Sequence, residues 1–195
     1  QGLPVLGGVD LTVPAGGFTV LIGPSGCGKS TLLDVITGLC PADAGAIAWN
    51  GRPRAHLGDA AAYMQQNDLL LPWRSLLDNA LLPAEVAGRD LPAARRQAAA
   101  LLARMGLAGF EDHRPHAVSG GMRQRCALVR TLMFERAIVL LDEPFASLDA
   151  ITRRRLHALL LLLQSDFGRT LLMITHDIEE GLMLARESAG ELARE

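Results

Sequence analysis

Gly23-Pro24-Ser25-Gly26-Cys27-Gly28-Lys29-Ser30 matches G-x-x-x-x-G-K-[ST] position by position, with Thr31 following as a further hydroxyl. Upstream lies an apolar run, Phe18 to Ile22; downstream, Leu32, Leu33, Val35, Ile36 and Leu39 recur at helical spacing from Lys29 to Leu39. Strand, glycine-rich turn and helix form the context this pattern needs. The glycines let successive backbone N–H groups turn inward around a phosphate, and the helix start adds unpaired donors and the positive end of a dipole. Residues Gly23 to Gly28 are therefore predicted to cradle phosphates, with Lys29 reaching the β- and γ-phosphates of a nucleotide. Ser30 offers a hydroxyl to Mg²⁺, and Thr31 a further phosphate donor.

Composition sharpens this reading. The chain has 19 basic residues, and only Lys29 among them is lysine. A compact ammonium fits between phosphate oxygens where a planar guanidinium does not. Farther along, Ile138-Val139-Leu140-Leu141 runs into Asp142-Glu143. An apolar strand ending in two carboxylates delivers acids to the sheet edge where ligands bind. Asp142 is predicted to hold Mg²⁺ through a coordinated water, and Glu143 to polarise the water that attacks the γ-phosphate.

Between these landmarks the pattern alternates. Short strands are predicted at Leu11 to Val13, Phe18 to Ile22 and Ala46 to Trp49, the last before an Asn50-Gly51 turn. Ala137 to Leu141 and Thr170 to Thr175 read as strands buried on both faces, with a helix from Arg153 to Phe167 between them. The stretch from about Asn67 to Arg130 is rich in Ala, Leu and Arg, with helical periodicity around Pro92 to Met105. The expected fold is α/β: a mostly parallel sheet, an N-terminal antiparallel part, and an inserted α-helical subdomain.

The resemblance then becomes specific. Val118-Ser119-Gly120-Gly121-Met122-Arg123-Gln124-Arg125 resembles the signature of ABC ATPases, a family with the P-loop NTPase (RecA-like) fold. Tyr63-Met64-Gln65-Gln66 resembles the strand end that carries the Q-loop glutamine, here Gln66. Ser147-Leu148-Asp149 resembles the D-loop, and His176 the switch histidine. The resemblance covers nearly the whole chain. It implies one ABC ATPase domain over residues 1–195, with the core in 1–66 and 131–195 and the helical subdomain in 67–130. It implies ATP and Mg²⁺ as the ligands. Ser30, Asp142 and Gln66 would serve the metal, and Glu143, His176 and Gln66 the catalysis. Two copies would pair head to tail, each ATP capped by Ser119, Gly120 and Gly121 of the other copy, with Asp149 beside it. A signature serine at a helix start makes a second anion site.

After Gln66, the segment Asn67-Asp68-Leu69-Leu70-Leu71-Pro72-Trp73-Arg74-Ser75 places apolar and aromatic residues in a loop. Leu69 to Trp73 is expected to dock a membrane permease, and the local sequence is similar to importer ATPases for nitrate, sulfonate or thiamine-precursor solutes. The resemblance further implies a solute-binding protein and a peripheral place on the cytoplasmic face of the inner membrane. The longest apolar runs, such as Ala158 to Leu163, span six residues, far short of the roughly 20 that a spanning helix requires. A net charge of -2 gives no field for nucleic acid, and Arg153-Arg154-Arg155 reads as a solvated helix face. The three cysteines form no CxxC pair, which argues against disulfide or zinc chemistry.

Some features depart from the family pattern. Val118 replaces the usual Leu and Met122 the usual Gln, which leaves the phosphate donors in place. An adenine-stacking aromatic is expected ahead of Val5, and further strands after Glu180, so the chain reads as shortened at both ends. A soluble scaffold or repair ABC ATPase is the alternative reading. A small-molecule P-loop kinase would explain Lys29 but not Ser119 to Gly121 together with His176.

Overall fold

The structure is a computed structural model and describes residues 5–146 and 148–192. Ser147 lies outside the described residues. The chain divides into two compact units. The first holds the residues up to Tyr63, Arg136–Glu143 and those from Leu161 on; the second holds Met64–Glu135 and Pro144–Leu160.

The first unit is built on a four-stranded sheet. β1 (Phe18–Ile22) leads through the glycine turn into α1 (Lys29–Thr37), and a hairpin of β2 (Ile47–Trp49) and β3 (Arg52–Arg54) follows. β4 (Ala61–Met64), β5 (Ile138–Asp142) and β6 (Thr170–Thr175) complete the sheet in the order β1-β6-β5-β4. β6 runs parallel to both β1 and β5. β5 and β6 are buried at every position, which is why their sequences are continuous apolar runs rather than alternating ones. Leu140, Leu172 and Ile174 face Leu33 of α1 in one core, with Leu57, Ala61 and Ile138.

The hairpin is the antiparallel part, Ile47 opposite Arg54 and Trp49 opposite Arg52. Asn50 and Gly51 have φ of 50° and 73°, as a tight hairpin turn demands. Leu11 to Val13 forms no strand. Leu11 and Val13 pack against the core as side chains, but a strand also needs a neighbour for its backbone groups, and no described strand pairs with them. α1 ends at Thr37, two residues before the expected Leu39, because Gly38 takes φ 80° and lets the N–H groups of Gly38 and Leu39 return to the carbonyls of Val35 and Asp34. The sequence after Glu180 continues the helix α6 (Ile178–Leu192), capped by Asp177, whose Oδ1 accepts from the Glu180 N–H at 3.1 Å.

The second unit is helical. α2 (Leu76–Val86), α3 (Leu91–Arg104) and α4 (Gly120–Leu132) pack on one another, with a 3-10 turn at Pro115–Ala117. α2 lies in the stretch expected to be helical, although the sequence delimits no separate helix there, and it carries Pro83 in its interior, where proline is ordinarily unfavourable. Its Ser75 cap, accepting from Asp78 N at 3.1 Å, and the buried face of Leu76, Leu77, Ala80, Leu81 and Ala84 outweigh that penalty. α5 (Ala150–Phe167) begins three residues before the expected Arg153, with Asp149 Oδ1 accepting from Thr152 N at 3.0 Å. Arg154 is exposed as expected, whereas Arg153 turns a guanidinium N–H onto the Leu148 carbonyl at 3.2 Å.

Cys126 on α4 is fully buried and donates to the Leu76 carbonyl at 3.3 Å. Burial pushes its thiol up to about 12, chiefly because a thiolate there would lose water. Cys27 and Cys40 are exposed. Titration of the native protein with a chromogenic disulfide reagent at neutral pH should therefore count two thiols and, after unfolding, the third. Reaction of all three in the native state would contradict the packing of α4 on α2.

Candidate functional site

The sheet register sets the site. Ile22 pairs with Thr175, and Asp142 with Ile174. The three parallel strands thus end level, so Gly23, Glu143 and His176 leave the same carboxyl edge. In the glycine loop Gly26 and Gly28 have φ of 81° and 97°. A side chain on Gly28 would also meet Leu6 Cδ2 at 3.0 Å and the Val5 carbonyl at 3.1 Å. Only glycine satisfies both the left-handed backbone and that close approach. The loop delivers α1 with no side chain capping its first turn and no acid within it. Its leading N–H groups, with about half a positive charge at the helix end, therefore favour an anion.

Lys29 folds back across the loop. Its Nζ donates to the carbonyls of Gly23 and Pro24 at 2.7 and 2.8 Å, and lies 3.7 Å from Cys27 Sγ. One residue on, the Ser30 hydroxyl donates to the Asp142 carboxylate. Burial pushes the Asp142 carboxyl above the usual range; the Ser30 hydrogen bond opposes that, Glu143 and Asp34 add to it, and Lys29 opposes it. A carboxylate so crowded gains from a cation. Among the described residues no group of three or more His, Cys, Asp and Glu could hold a metal. A hydroxyl and a carboxylate suit Mg²⁺, which takes the rest of its octahedron from water and substrate phosphates.

Glu143 follows β5 with φ 48°, a conformation that costs an L-residue about 1–2 kcal/mol. Its N–H continues the ladder to the Ile174 carbonyl at 3.0 Å, while its Oε2 meets His176 Nδ1 at 3.1 Å. The Glu143 side chain is 12% exposed and that of His176 is 54% exposed. The pair thus presents a sheltered carboxylate held by an accessible imidazole. Below His176, Thr175 Oγ1 donates to Glu180 Oε2 at 2.7 Å and accepts from Asp177 N at 3.0 Å, which fixes the turn.

In the second unit, Ser119 caps α4, its hydroxyl accepting from Met122 N at 3.3 Å. Ser119 and Gly120 are exposed and Gly121 is half-buried. Gln66 is exposed as well; its carbonyl receives a long 3.5 Å contact from the buried Gln124 amide. Asp149 serves as the cap of α5.

The sequence profile described as "ABC transporter" matches residues 6–146. The chain belongs to the ABC transporter family. The taurine import ATP-binding protein TauB of Yersinia pestis is 43% identical to this ABC chain over 187 residues, covering 96% of it and 73% of the relative. The formylaminopyrimidine import ATP-binding protein ThiZ of Halalkalibacterium halodurans is 43% identical over 182 residues, covering 93% and 71%. Among solved structures, the dimeric bacterial ABC transporter cassette MJ0796 superposes with a TM-score of 0.84 at 30% identity, covering 91% of this chain and 82% of that one. A dimeric post-hydrolysis state of MJ0796 bound to ADP and Pi matches with a TM-score of 0.82 at 29% identity and the same coverage. The chain is an ABC-type ATPase with the fold expected from its sequence.

Several residues of this ABC ATPase make contacts that no motif around them reveals. Tyr63, half-buried, hydrogen-bonds Asp34 one turn beyond Ser30, and burial with the nearby Asp34 and Asp142 charges holds its phenol well above the usual range. Gln124 is 6% exposed inside the signature helix. Asn79, fully buried, accepts from Leu71 N at 2.7 Å and donates to the carbonyls of Leu71, Arg74 and Ser75. A polar residue amid the leucines of α2 was the available signal for Asn79, since such a group persists in a core only when it is bonded.

Proposed function

We propose that this ABC ATPase drives solute import as one half of a head-to-tail pair, peripheral on the cytoplasmic face of a membrane and seated on a separate permease. The observation that carries the reading is the grouping of Lys29, Ser30, Asp142, Glu143 and His176 at one sheet edge, with Ser119 exposed at a helix start in the other unit. ATP would lie on Gly23 to Gly28, with Lys29 and Thr31 on its phosphates and Ser30 and Asp142 holding Mg²⁺, assisted by Gln66. Bound Mg²⁺ would draw charge from the β- and γ-phosphate oxygens. Glu143 then accepts a proton from the attacking water, and His176 orients Glu143 and touches the γ-phosphate. Ser119, Gly120 and Gly121 would come from the second copy, where accepting from Met122 leaves the serine hydroxyl a donor. Asp149 would stand at that same junction. Residues 67–130 act as the helical subdomain, and 1–66 with 131–195 as the core.

Taurine and formylaminopyrimidine differ in chemistry, yet the ATP-binding proteins named for their import are both 43% identical to this chain. The solute is therefore chosen by other subunits, a permease and a solute-binding protein. No described helix is long and apolar enough to cross a membrane; in this reading the permease supplies the path.

Within the expected docking loop, Leu69 and Trp73 are 54% and 66% exposed, whereas Leu70 is buried. Trp73→Ala should leave ATP hydrolysis by the cassette within about twofold, as surface changes away from a site do, while abolishing co-purification with its membrane permease. A Trp73→Ala protein that assembles and transports normally would overturn the docking assignment.

A further inference from the structure

The Asp68–Leu71 loop is clipped to α4 by two arginines of that helix. Arg130 spreads its guanidinium over two successive peptides, donating Nη2 to the Asp68 carbonyl and Nη1 to the Leu69 carbonyl, both at 2.7 Å. Leu69 between them takes φ 46°, a left-handed conformation that a leucine disfavours and that persists only where its surroundings impose it. Arg123, in the first turn of α4, bridges in two directions. Its Nε pairs with Asp68 Oδ2 at 2.9 Å, and its Nη1 donates to the Val118 carbonyl at 3.2 Å, immediately before Ser119. The other Asp68 oxygen accepts from Leu70 N at 3.2 Å, and Asn79 holds the Leu71 end. The loop that displays Leu69 and Trp73 and the helix that begins at Ser119 therefore share one hydrogen-bonded frame.

We propose that Arg130 and Arg123 are positioning residues that make the Asp68–Leu71 loop and α4 move as one piece, so that a load on Leu69 and Trp73 displaces Ser119. The proposal rests on the docking reading of Leu69 and Trp73. α4 is an uninterrupted helix of 13 residues, a rod of roughly 20 Å. Arg130 ties the loop near its far end, and Arg123 ties the loop to the signature itself. A rod held to the loop at both ends cannot swing without it, whereas a loop held by its own backbone alone could yield locally. Lysine in place of Arg130 keeps the charge but replaces two planar nitrogens, one on each carbonyl, with a single nitrogen on a flexible stem, which holds the loop less rigidly.

The test uses the cassette assembled with its membrane permease, together with the isolated cassette. Arg130→Lys should leave the melting temperature and the ATP affinity of the isolated cassette close to wild type, while amide hydrogen exchange at Leu69 to Leu71 rises. In the reconstituted complex, permease-stimulated hydrolysis and transport should fall roughly fivefold or more, the scale of a lost intersite coupling. Arg123→Lys, which retains the charge toward Asp68 but not the second contact at Val118, serves as the second variant and should show the same split. Unchanged exchange in the loop, or full stimulation despite raised exchange, would overturn the clip. Trp73→Ala separates this failure from failure of the docking reading. If Trp73→Ala prevents assembly while Arg130→Lys is fully stimulated, docking stands and the clip falls; if Trp73→Ala assembles normally, the docking reading falls and the clip with it.

Discussion

Lys29→Ala protein is expected to show no measurable ATP hydrolysis and to bind ATP roughly tenfold to a hundredfold more weakly, since hydrogen bonds to charged groups contribute about 1.5–3 kcal/mol each. The hydrolysis loss is the larger because negative charge on the transferring phosphoryl group needs a fixed donor, and removing one such donor costs about 10²–10³ in rate. The ammonium already sits against the carbonyls of Gly23 and Pro24 at 2.7 and 2.8 Å, so it arrives at a phosphate without a search. Lys29→Arg should not rescue, because a planar fork cannot occupy the place of one nitrogen between two carbonyls. Phosphate release and titration with a fluorescent nucleotide measure the two effects separately. Wild-type turnover in Lys29→Ala would remove the phosphate cradle from the account.

Glu143→Gln should dissociate binding from chemistry. The amide has nearly the shape of the carboxylate, and its oxygen can still accept from His176, so ATP binding should persist. It cannot take a proton from water, and turnover should fall about 10²–10⁴-fold, the usual contribution of a positioned base. A pre-steady-state assay separating nucleotide binding from phosphate release reads both. If Glu143→Gln hydrolyses at the wild-type rate, Glu143 is a structural partner of His176 and the base lies elsewhere.

These two residues differ in how far the sequence exposes them. Lys29 is fully legible, because everything that defines its place is local: a strand, six intervening turn residues and a helix start, each written within a few positions. The Ser119 cap and the Asn50-Gly51 hairpin are legible for the same reason. A side-chain or glycine requirement at one backbone position leaves its mark at that position. α2 shows the converse. Pro83 speaks locally against a helix, and the buried face that overrules it exists only once α3 and α4 are in place. The strand expected at Leu11 to Val13 fails in the same way, for apolar residues can supply packing but not the partner that a strand's backbone requires.

By itself the sequence determined the phosphate loop, its single lysine, the acidic strand end and the signature serine, since each is a short-range constraint on backbone conformation or charge. It also determined the fold class, because continuous apolar strands alternating with helices admit few architectures. Only the tertiary structure decided that Glu143 meets His176 across adjacent parallel strands, that Ser30 meets Asp142, and that Arg123 and Arg130 grip a loop far away in the chain. Those contacts depend on which strand lies beside which and on the register between them. That choice is made by the packing of the whole sheet and helix layer, which no local pattern records.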